Sequence, residues 1–424
     1  MNKTVTVREY AQLTIGATPS ESLDVAHVTA SAFDHLCKLN ASFKKSGAAL
    51  LQLDGRQSLK LDNYVGVIQT PCGTTLEILP KTTDEADGAP ASRALLQKMI
   101  QAALKLKTRI VGKAALDLFD APISEWVMGQ FLEALEHLIK CGLRFEYQRI
   151  EEEQPYLRGQ LNTLAQLRQP PSRRHHFQIR HDVYLPDRPE NRLLKTALLK
   201  VCAATRLPSH WLLAHELRSR LSEIPQSDQT EHDFRQWRND RLMAQYRDIK
   251  PWCEIILSQQ MPLALSGDWQ GLSMLFPMEK LFEKYVEALL PTQLASDAQL
   301  LPQRSSKFLC LHKSRDLFQL KPDLMVKHPA GYIGLLDAKW KRLDSNNIDK
   351  NYGLSQSDFY QMFAYGTRYL ESKGELVLIY PMTSRFKEPL SPFIFSDLLK
   401  LHVLPFDLDK QKLIGIETTQ LPRR

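Results

Sequence analysis

Apolar and polar residues alternate through much of the first 85 residues, which predicts a β-rich N-terminal region. TVTVREY alternates like a strand, and DNYVGVIQTPCGTTLEILPKT contains two alternating runs around a Pro-Cys-Gly turn at residues 71–73. A short helix is predicted over residues 26–40. The acidic, turn-rich residues 82–92 are interpreted as a loop or linker.

The apolar spacing becomes helical from about residue 93 to residue 145. Ser124 followed by Glu125 favours a helix start, and Gly142 favours a C-terminal stop. From residue 146 to residue 250 the chain is polar and basic, and we predict a mainly helical middle region. Its arginines form two groups, Arg158, Arg168, Arg173, Arg174, Arg180, Arg188 and Arg192, then Arg218, Arg220, Arg235, Arg238, Arg241 and Arg247.

These arginines have two interpretations. The planar guanidinium can donate two hydrogen bonds to one phosphate, and aromatic residues interleaved with the arginines can stack on exposed bases. Contact with DNA is therefore one hypothesis, with Arg173 and Arg174 as the chosen candidates. The other is a solvated helical face whose arginines pair with nearby acids such as Glu151 to Glu153.

Beyond about residue 268 the pattern indicates a compact α/β unit. An amphipathic helix in LFPMEKLFEKYVEALLPTQL ends at Pro291, and short strands follow in FLCLHK, DLMV and YIGLLDAKW. A second helix in SQSDFYQMFAYGTRYLE precedes an apolar strand in ELVLIYP. We therefore predict an α/β multidomain chain divided into residues 1–90, 91–265 and 266–424.

Composition excludes several classes of protein. A chain of 424 residues with 43% hydrophobic and 24% charged residues fits a globular protein of two or three domains. No apolar run is long enough to span a membrane, and the N-terminus lacks the features of a secretory signal. Six singly placed cysteines argue against a disulfide framework or a zinc site and favour a cytoplasmic location. The net charge of +7 is compatible with nucleic-acid binding without establishing it.

Charged residues interrupt the apolar strands near the C-terminal turn. DLMV and YIGLLDAKW flank KHPAG, whose proline and glycine favour a turn, so an antiparallel hairpin is predicted. Asp337 and Lys339 are two residues apart and share one face of their strand. Folding near residue 329 sets position 323 opposite about 335. Asp323 and Asp337 then become diagonal neighbours with Cα atoms roughly 7–8 Å apart.

Two carboxylates this close repel each other unless one is protonated or a divalent cation neutralises both. Magnesium, with manganese as an alternative, fits because it often takes only one or two carboxylates. Asp323 and Asp337 would then hold the metal, and Lys339 would orient or activate water or stabilise charge on a phosphate. The competing interpretation is a buried salt bridge between Lys339 and one of the aspartates.

Taken together, these charged residues indicate a particular type of active site more specifically than any one of them alone. Pro-Asp at residues 322–323, followed after 13 residues by Asp-Ala-Lys at 337–339, resembles the PD-(D/E)xK nuclease signature. The resemblance implies a restriction-endonuclease-like α/β domain and a preceding helix with an acidic residue near the site. Glu283 is the candidate, chosen over Glu279 and Glu287 on the same helix.

The helix after the hairpin carries Gln361 and Tyr365, which look like the Gln-x-x-x-Tyr element of RecB-like members of that superfamily. The resemblance implies that this element positions DNA or the catalytic lysine. Tyr365 is also interpreted more simply as a packed helix residue. Lys341 and Tyr365 complete the set of DNA-binding candidates.

Longer blocks resemble McrC, the nuclease subunit of McrBC-type modification-dependent restriction systems. They are FPMEKLFEKYV, LKPDLMV, LLDAKWKRL, DFYQMFAYG, VGVIQTPCGTTLEILPK, YLRGQLNTLAQL and LPDRPENRLLKTALL. The ordered set covers most of the chain, although each short motif alone is weak.

The resemblance implies a magnesium-dependent DNA endonuclease subunit. Its expected partner is McrB, an AAA+ GTPase hexamer that recognises double-stranded DNA carrying modified cytosine and that McrC stimulates. The β-rich N-terminal region would dock on this motor. The Gly-Lys in TRIVGKAAL lacks the other residues of a phosphate-binding loop, so GTP is expected on the partner, with no nucleotide site on this chain. Two alternatives remain open, a stand-alone PD-(D/E)xK nuclease in DNA repair and a non-catalytic adaptor that binds DNA or the motor.

Overall fold

The computed structural model describes residues 4–16, 22–45, 50–55, 57–81, 88–104, 122–257, 273–303, 306–329, 331 and 333–423. These residues form two compact units. One unit holds the residues up to Ser124 together with those from Ser273 onward, and the other begins at Glu125. The three-part division at residues 90 and 265 stays a prediction, whereas these units join the N-terminal and C-terminal parts of the chain.

The N-terminal part of the first unit is β-rich, as predicted. Its elements are β1 (Thr4–Arg8), β2 (Gln12–Thr14), β3 (Val25–His27), α1 (Ala30–Lys45), β4 (Leu51–Leu53), β5 (Ser58–Leu61), β6 (Tyr64–Gln69), β7 (Thr75–Leu79) and α2 (Ala89–Ala103). β6 and β7 are antiparallel around the predicted turn. The helix α2 begins inside the segment interpreted as a linker, of which residues 82–87 lie outside the described residues.

Two sheets are built from these strands. One has the order β3-β2-β5-β4, and the other has the order β1-β7-β6-β11, where β11 is Met274–Pro277. β1 and β7 are parallel, and β11 pairs antiparallel with β6. The segment directly before the C-terminal helix thus completes an N-terminal sheet, which explains why both ends of the chain share one unit.

A buried ion pair fixes α2 on this sheet. Glu77 of β7 is fully buried, and Arg93 of α2 donates to it from Nη2 at 2.8 Å and from Nε at 2.9 Å. The same carboxylate accepts hydrogen bonds from the Ile123 backbone at 3.0 Å and from the Thr6 hydroxyl at 2.9 Å. The charge is therefore compensated by an opposite charge and by hydrogen bonds, as a buried carboxylate requires.

The C-terminal part of the first unit is built around a seven-stranded sheet. Its elements after β11 are α9 (Met278–Leu289), β12 (Gln299–Pro302), β13 (Lys307–His312), β14 (Arg315–Leu320), β15 (Leu324–Lys327), β16 (Ile333–Ala338), α10 (Gln356–Tyr369), β17 (Gly374–Pro381), β18 (Phe393–Ser396), β19 (Leu399–Asp407) and β20 (Lys412–Leu413). The strands of the seven-stranded sheet have the order β12-β15-β16-β17-β19-β18, with β20 paired to β19. β16, β17 and β19 are mutually parallel. The predicted order of helices and strands is present, while β12, β14 and β18 to β20 were not predicted.

Apolar periodicity accounts for these elements. β17 is buried along almost its whole length, as its continuous run of apolar residues requires for a central strand covered on both faces. In α9 the buried positions Leu281, Phe282, Tyr285 and Val286 form one stripe, and the helix ends before Pro291. The α10 residues Met362 and Tyr365 belong to the core that covers one face of the sheet.

The second unit combines helices with a small sheet. Its elements are α3 (Ile123–Cys141), β8 (Glu146–Gln154), β9 (Gln160–Leu161), α4 (Thr163–Leu167), β10 (Phe177–Leu185), α5 (Pro189–Ala204), α6 (Pro208–Arg220), α7 (Thr230–Gln236) and α8 (Lys250–Ile256). The first two residues of α3 belong to the first unit. The predicted helix end at Gly142 is confirmed, because α3 stops at Cys141 and Gly142 has a φ of 94°. The strands have the order β8-β10-β9.

Arg180 lies in a strand of this sheet, which corrects the expected helical setting for that member of the first arginine group. Residues 177–185 pair with residues 146–154 in an antiparallel ladder. An arginine on one strand therefore lies directly opposite an acidic residue on the other. Arg180 lies opposite Glu151, with Nε 2.6 Å from Oε1. The pairing with Glu151 to Glu153 therefore exists, but across strands and not along a helix.

Two further observations bear on the sequence predictions. None of the helices within the described ranges is both long and apolar enough to cross a membrane. All six cysteines fall in those ranges as free thiols. The Gly-Lys pair of TRIVGKAAL belongs to residues 105–121, outside the described residues.

Candidate active site

The predicted hairpin of β15 and β16 is present, with a different register. Leu324 pairs with Leu336, so one step further Asp323 lies directly opposite Asp337. The expectation that the two aspartates are diagonal neighbours was wrong, because the turn is centred one residue later than position 329. Direct opposition brings the carboxylates closer than the diagonal arrangement would.

Asp337 is the most buried member of the cluster, with no exposed surface. The Nζ atom of Lys339 lies 2.7 Å from its Oδ2 atom. Its Oδ1 atom is buried without a hydrogen-bond partner among the described residues. The ion pair of the competing interpretation therefore exists, but it leaves one oxygen of a buried carboxylate unsatisfied, which calls for a ligand or a functional reason.

Asp323 is anchored from the opposite strand. Its Oδ2 atom accepts a hydrogen bond from the backbone N–H of Ala338 at 2.9 Å. Because Ala338 lies between Asp337 and Lys339, this bond ties the start of β15 to the end of β16. The backbone of the hairpin thus holds both carboxylates and the ammonium group in one place.

The charges of the cluster perturb one another. Burial, together with the nearby charges of Asp337 and Glu283, raises the pKa of Asp323 to about 7. Burial also raises the pKa of Asp337, although the Lys339 ammonium opposes this shift. Burial alone would lower the pKa of Lys339, but attraction by Asp337 and Asp323 outweighs it and raises that pKa. Lys339 therefore stays a cation, while the two acids resist carrying two negative charges at once.

Glu283 lies on the buried side of α9. Its Oε1 atom accepts a hydrogen bond from Gln303 at 2.9 Å, and its charge raises the pKa of both aspartates. Glu279 is exposed, and Glu287 instead pairs with Lys284 at 2.6 Å. Of the three glutamates on this helix, Glu283 is thus the one whose charge acts on both aspartates.

Gln361 and Tyr365 connect α10 to the cluster. Lys339 donates to the Gln361 carbonyl oxygen at 3.3 Å, and the Gln361 amide donates to the Tyr365 hydroxyl at 2.7 Å. That hydroxyl donates in turn to the backbone carbonyl of Lys321 at 2.8 Å. Tyr365 is only 3% exposed, which makes it a support for Gln361 and not a surface for DNA.

Asp358 is a member of the site that sequence reasoning missed. It lies in the first turn of α10 and accepts a hydrogen bond from the Tyr380 hydroxyl at 3.1 Å. Its charge contributes to the raised pKa values of Asp337 and Lys339. Its spacing of three residues from Gln361 and seven from Tyr365 places all three on one face of the helix, a signal that was present in the sequence.

The remaining DNA-binding candidates are exposed. Lys341 follows the cluster directly along the chain. Arg173 and Arg174 belong to the second unit, and Arg173 lies 3.8 Å from Glu153. An exposed ion pair of this kind contributes little to stability, so it does not prevent Arg173 from meeting another anion.

Comparison with known proteins shows a family and two solved structures that this chain resembles. A protein-family model described as McrBC 5-methylcytosine restriction system component matches residues 59–381. A chain in a solved half-complex of Thermococcus gammatolerans McrB AAA+ hexamers with bound McrC is 19% identical and superposes with a TM-score of 0.70, covering 96% of this chain and 95% of that one. A chain in the McrBC complex of the same organism is 20% identical, with a TM-score of 0.53 and coverages of 68% and 87%. No curated protein matches this chain.

Proposed function

The chain belongs to the family of McrBC 5-methylcytosine restriction system components, and from that premise we propose that it is the nuclease subunit of such a system. The substrate is double-stranded DNA carrying modified cytosine, and the reaction is metal-dependent hydrolysis of a phosphodiester. The observation that carries this proposal is the buried cluster of Asp323, Asp337 and Lys339, in which one carboxylate oxygen has no partner among the described residues.

The proposed partner is an AAA+ GTPase hexamer of the McrB kind. One solved neighbour belongs to an assembly of McrB AAA+ hexamers with bound McrC, and this chain covers 95% of that neighbour. GTP would be bound by that partner, and the β-rich N-terminal part would dock on it and stimulate hydrolysis. The likeness in fold supports this assembly, since a chain of the same shape can present the same surfaces.

The residues present fit a divalent cation such as Mg²⁺ or Mn²⁺. Within the described ranges no group of three or more His, Cys, Asp or Glu side chains is arranged to hold a metal ion. Magnesium needs no such group, because it keeps several waters and uses one or two carboxylates together with substrate phosphate. Asp323 and Asp337 supply two carboxylates, and the unpartnered Oδ1 atom of Asp337 is a free oxygen ligand.

When bound, the cation would neutralise both carboxylates and polarise the phosphate that is cleaved. The protein's own residues would position the DNA and stabilise charge. Lys339, whose pKa is raised, keeps its proton at neutral pH and therefore acts as a cation beside the phosphate oxygens, not as a base. Gln361 orients this ammonium group, and Glu283 adds negative charge that favours metal binding. This division of roles is that of a PD-(D/E)xK active site.

The direct test is cleavage of methylated DNA by the full chain with its GTPase partner, GTP and Mg²⁺. Asp337→Asn and Lys339→Ala should abolish cleavage while preserving DNA binding. The matched control is Asp397→Asn, since Asp397 is an exposed acid of the same unit. Cleavage by Asp337→Asn at the wild-type rate would refute the assignment of the site.

Metal binding can be tested without activity. Mg²⁺ or Mn²⁺ should raise the unfolding temperature of the wild type and should have a much smaller effect on Asp323→Asn. Cleavage by the isolated chain without GTP would favour the stand-alone nuclease. DNA binding without cleavage under any of these conditions would favour the adaptor.

A further inference from the structure

A cavity lies at the carboxyl ends of five strands of the first unit. It has a volume of about 360 Å³, within the range of small-molecule sites. The residues that follow β1, β7, β16, β17 and β19 supply its lining, among them Glu9, Lys81, Trp340, Lys341, Thr383 and Leu408. The crevice beyond the carboxyl ends of parallel strands is where open α/β sheets bind their ligands.

Glu9 gives this cavity a specific polar group. It is only 1% exposed, and its Oε1 atom accepts hydrogen bonds from the Trp340 indole at 2.7 Å and from the Lys81 backbone at 2.9 Å. Its Oε2 atom is buried with no hydrogen-bond partner among the described residues. A buried carboxylate oxygen that lacks a donor costs free energy, and a ligand that brings a donor N–H would recover it.

Aromatic and cationic side chains surround that acid. Trp340 is held between Glu9 and Phe282, whose ring centroid lies 5.3 Å from that of Trp340. Tyr10 also lines the cavity with a φ of 63°, an unusual backbone conformation for a residue with a side chain. Lys341 and Arg342 contribute positive charge at the same cavity. An aromatic face, a hydrogen-bond acceptor and cations together match the base and the phosphate of one nucleotide.

We propose that this cavity takes one unstacked nucleotide of the DNA strand beside the position of cleavage. The base would stack on Trp340 or Tyr10 and donate an N–H to Glu9, and Lys341 would contact the phosphate. Trp340 directly follows Lys339, so a nucleotide held here would fix the register of the strand at the catalytic lysine. The inference rests on the proposed function, because it requires that DNA be the substrate.

The informative variant is Glu9→Gln, which has the same shape. Two donors already occupy Oε1, so the amide oxygen must stay at that position and the NH₂ group must replace Oε2. The variant thus keeps the bonds to Trp340 and Lys81 but presents a donor where the ionised wild type presents an acceptor. Binding is measured by fluorescence anisotropy with the full chain in EDTA, so that no cleavage occurs, and at a pH above the Glu9 pKa of about 7, so that the carboxylate is ionised. The probes are a short labelled single-stranded oligodeoxycytidylate and an abasic strand with the same number of phosphates.

The wild type should bind the cytidylate about tenfold or more tightly than the abasic strand, from stacking and hydrogen bonding of the base. Glu9→Gln should lose most of that preference without changing the affinity for the abasic strand. Lys341→Gln should weaken both probes and reduce the salt dependence by about one phosphate contact. Lys373→Gln, at an exposed lysine of the same unit, serves as its control.

Equal affinity of the wild type for both probes, or an unchanged preference in Glu9→Gln, would overturn this inference. Neither result would affect the proposed function, which depends on cleavage and on Asp337. A wild type that binds neither probe would contradict the inference as well. Loss of cleavage in Asp337→Asn with an intact base preference would support both.

Discussion

The hydroxyl of Tyr365 makes a testable connection between packing and catalysis. It accepts a hydrogen bond from the Gln361 amide at 2.7 Å and donates one to the Lys321 carbonyl at 2.8 Å. Gln361 is the residue that accepts from the Lys339 ammonium at 3.3 Å. In Tyr365→Phe the ring remains in the core while both hydrogen bonds are lost, so Gln361 is released from its fixed orientation.

The expected loss of stability in Tyr365→Phe follows from the number of hydrogen bonds that are removed. Two hydrogen bonds at about 0.5–1.5 kcal/mol each give a loss of about 1–3 kcal/mol in the free energy of unfolding. Cleavage should fall separately, because a loosely held Gln361 no longer fixes the ammonium of Lys339. A loss of about 1.4 kcal/mol in transition-state stabilisation corresponds to about a tenfold lower rate. Tyr365→Phe should therefore be both less stable and slower.

Urea unfolding and single-turnover cleavage with the partner measure these two effects. Tyr369→Phe is the matched control, since its hydroxyl lies one turn further along α10 and donates to the Leu320 carbonyl at 2.9 Å. It also accepts from the backbone N–H groups of Ser306 at 3.2 Å and Lys307 at 3.3 Å, whereas the Gln361 amide donates to the Tyr365 hydroxyl. The control should lose stability without losing cleavage rate. Equal rates for Tyr365→Phe and the wild type, with Asp337→Asn inactive, would refute the positioning role.

Three further predictions concern stability. Arg93→Met should lower the free energy of unfolding, measured with urea, by about 3–5 kcal/mol, because it leaves the fully buried carboxylate of Glu77 without its opposite charge. A change of less than about 1 kcal/mol would contradict this account. Asp323 has a pKa of about 7 against an ordinary value of 3.8, so between these values the folded state keeps a proton that the unfolded state has lost, and stability falls as the pH rises. Asp323→Asn should therefore gain stability over the wild type from about pH 4 to pH 7 in metal-free urea titrations, and a constant difference across that range would count against it. Gly366→Ala places a Cβ atom 2.8 Å from Leu399 Cδ2, so thermal melting should show a loss of about 1–3 kcal/mol from overpacking, partly restored by Leu399→Val.

The sequence predicted the hairpin and its charged residues well because both depend on neighbours in the chain. The turn residues of KHPAG and the apolar runs beside them determine two antiparallel strands locally. The spacing of Asp337 and Lys339 then decides that they share a face. The turn is centred one residue later than expected, so the residue opposite Asp323 shifted by two positions, because loop length changes pairing without any change in the pattern of either strand.

The strand pairing of the arginine-containing segment and of β11 could not be predicted in the same way. The ladder between residues 146–154 and 177–185 depends on a partner that is distant in sequence, and alternating polar residues give no apolar signal. β11 is a short apolar segment whose partner β6 is about two hundred residues away along the chain. Local propensity is weak evidence for such strands, since packing against neighbours determines whether they form.

Glu9 shows where reasoning from the sequence ends. It stands in the alternating segment TVTVREY, where nothing indicates burial, yet it is only 1% exposed and accepts a hydrogen bond from Trp340, 331 residues later. Burial raises the pKa of Glu9 to about 7, so near neutral pH this carboxyl is close to losing its proton inside a cavity. A buried carboxyl group with an unsatisfied oxygen destabilises the folded state, so stability alone does not explain its presence. Its cost is explained if the acid serves a ligand at the cavity beside Lys339, and only the tertiary pairing of the two ends of the chain makes that role visible.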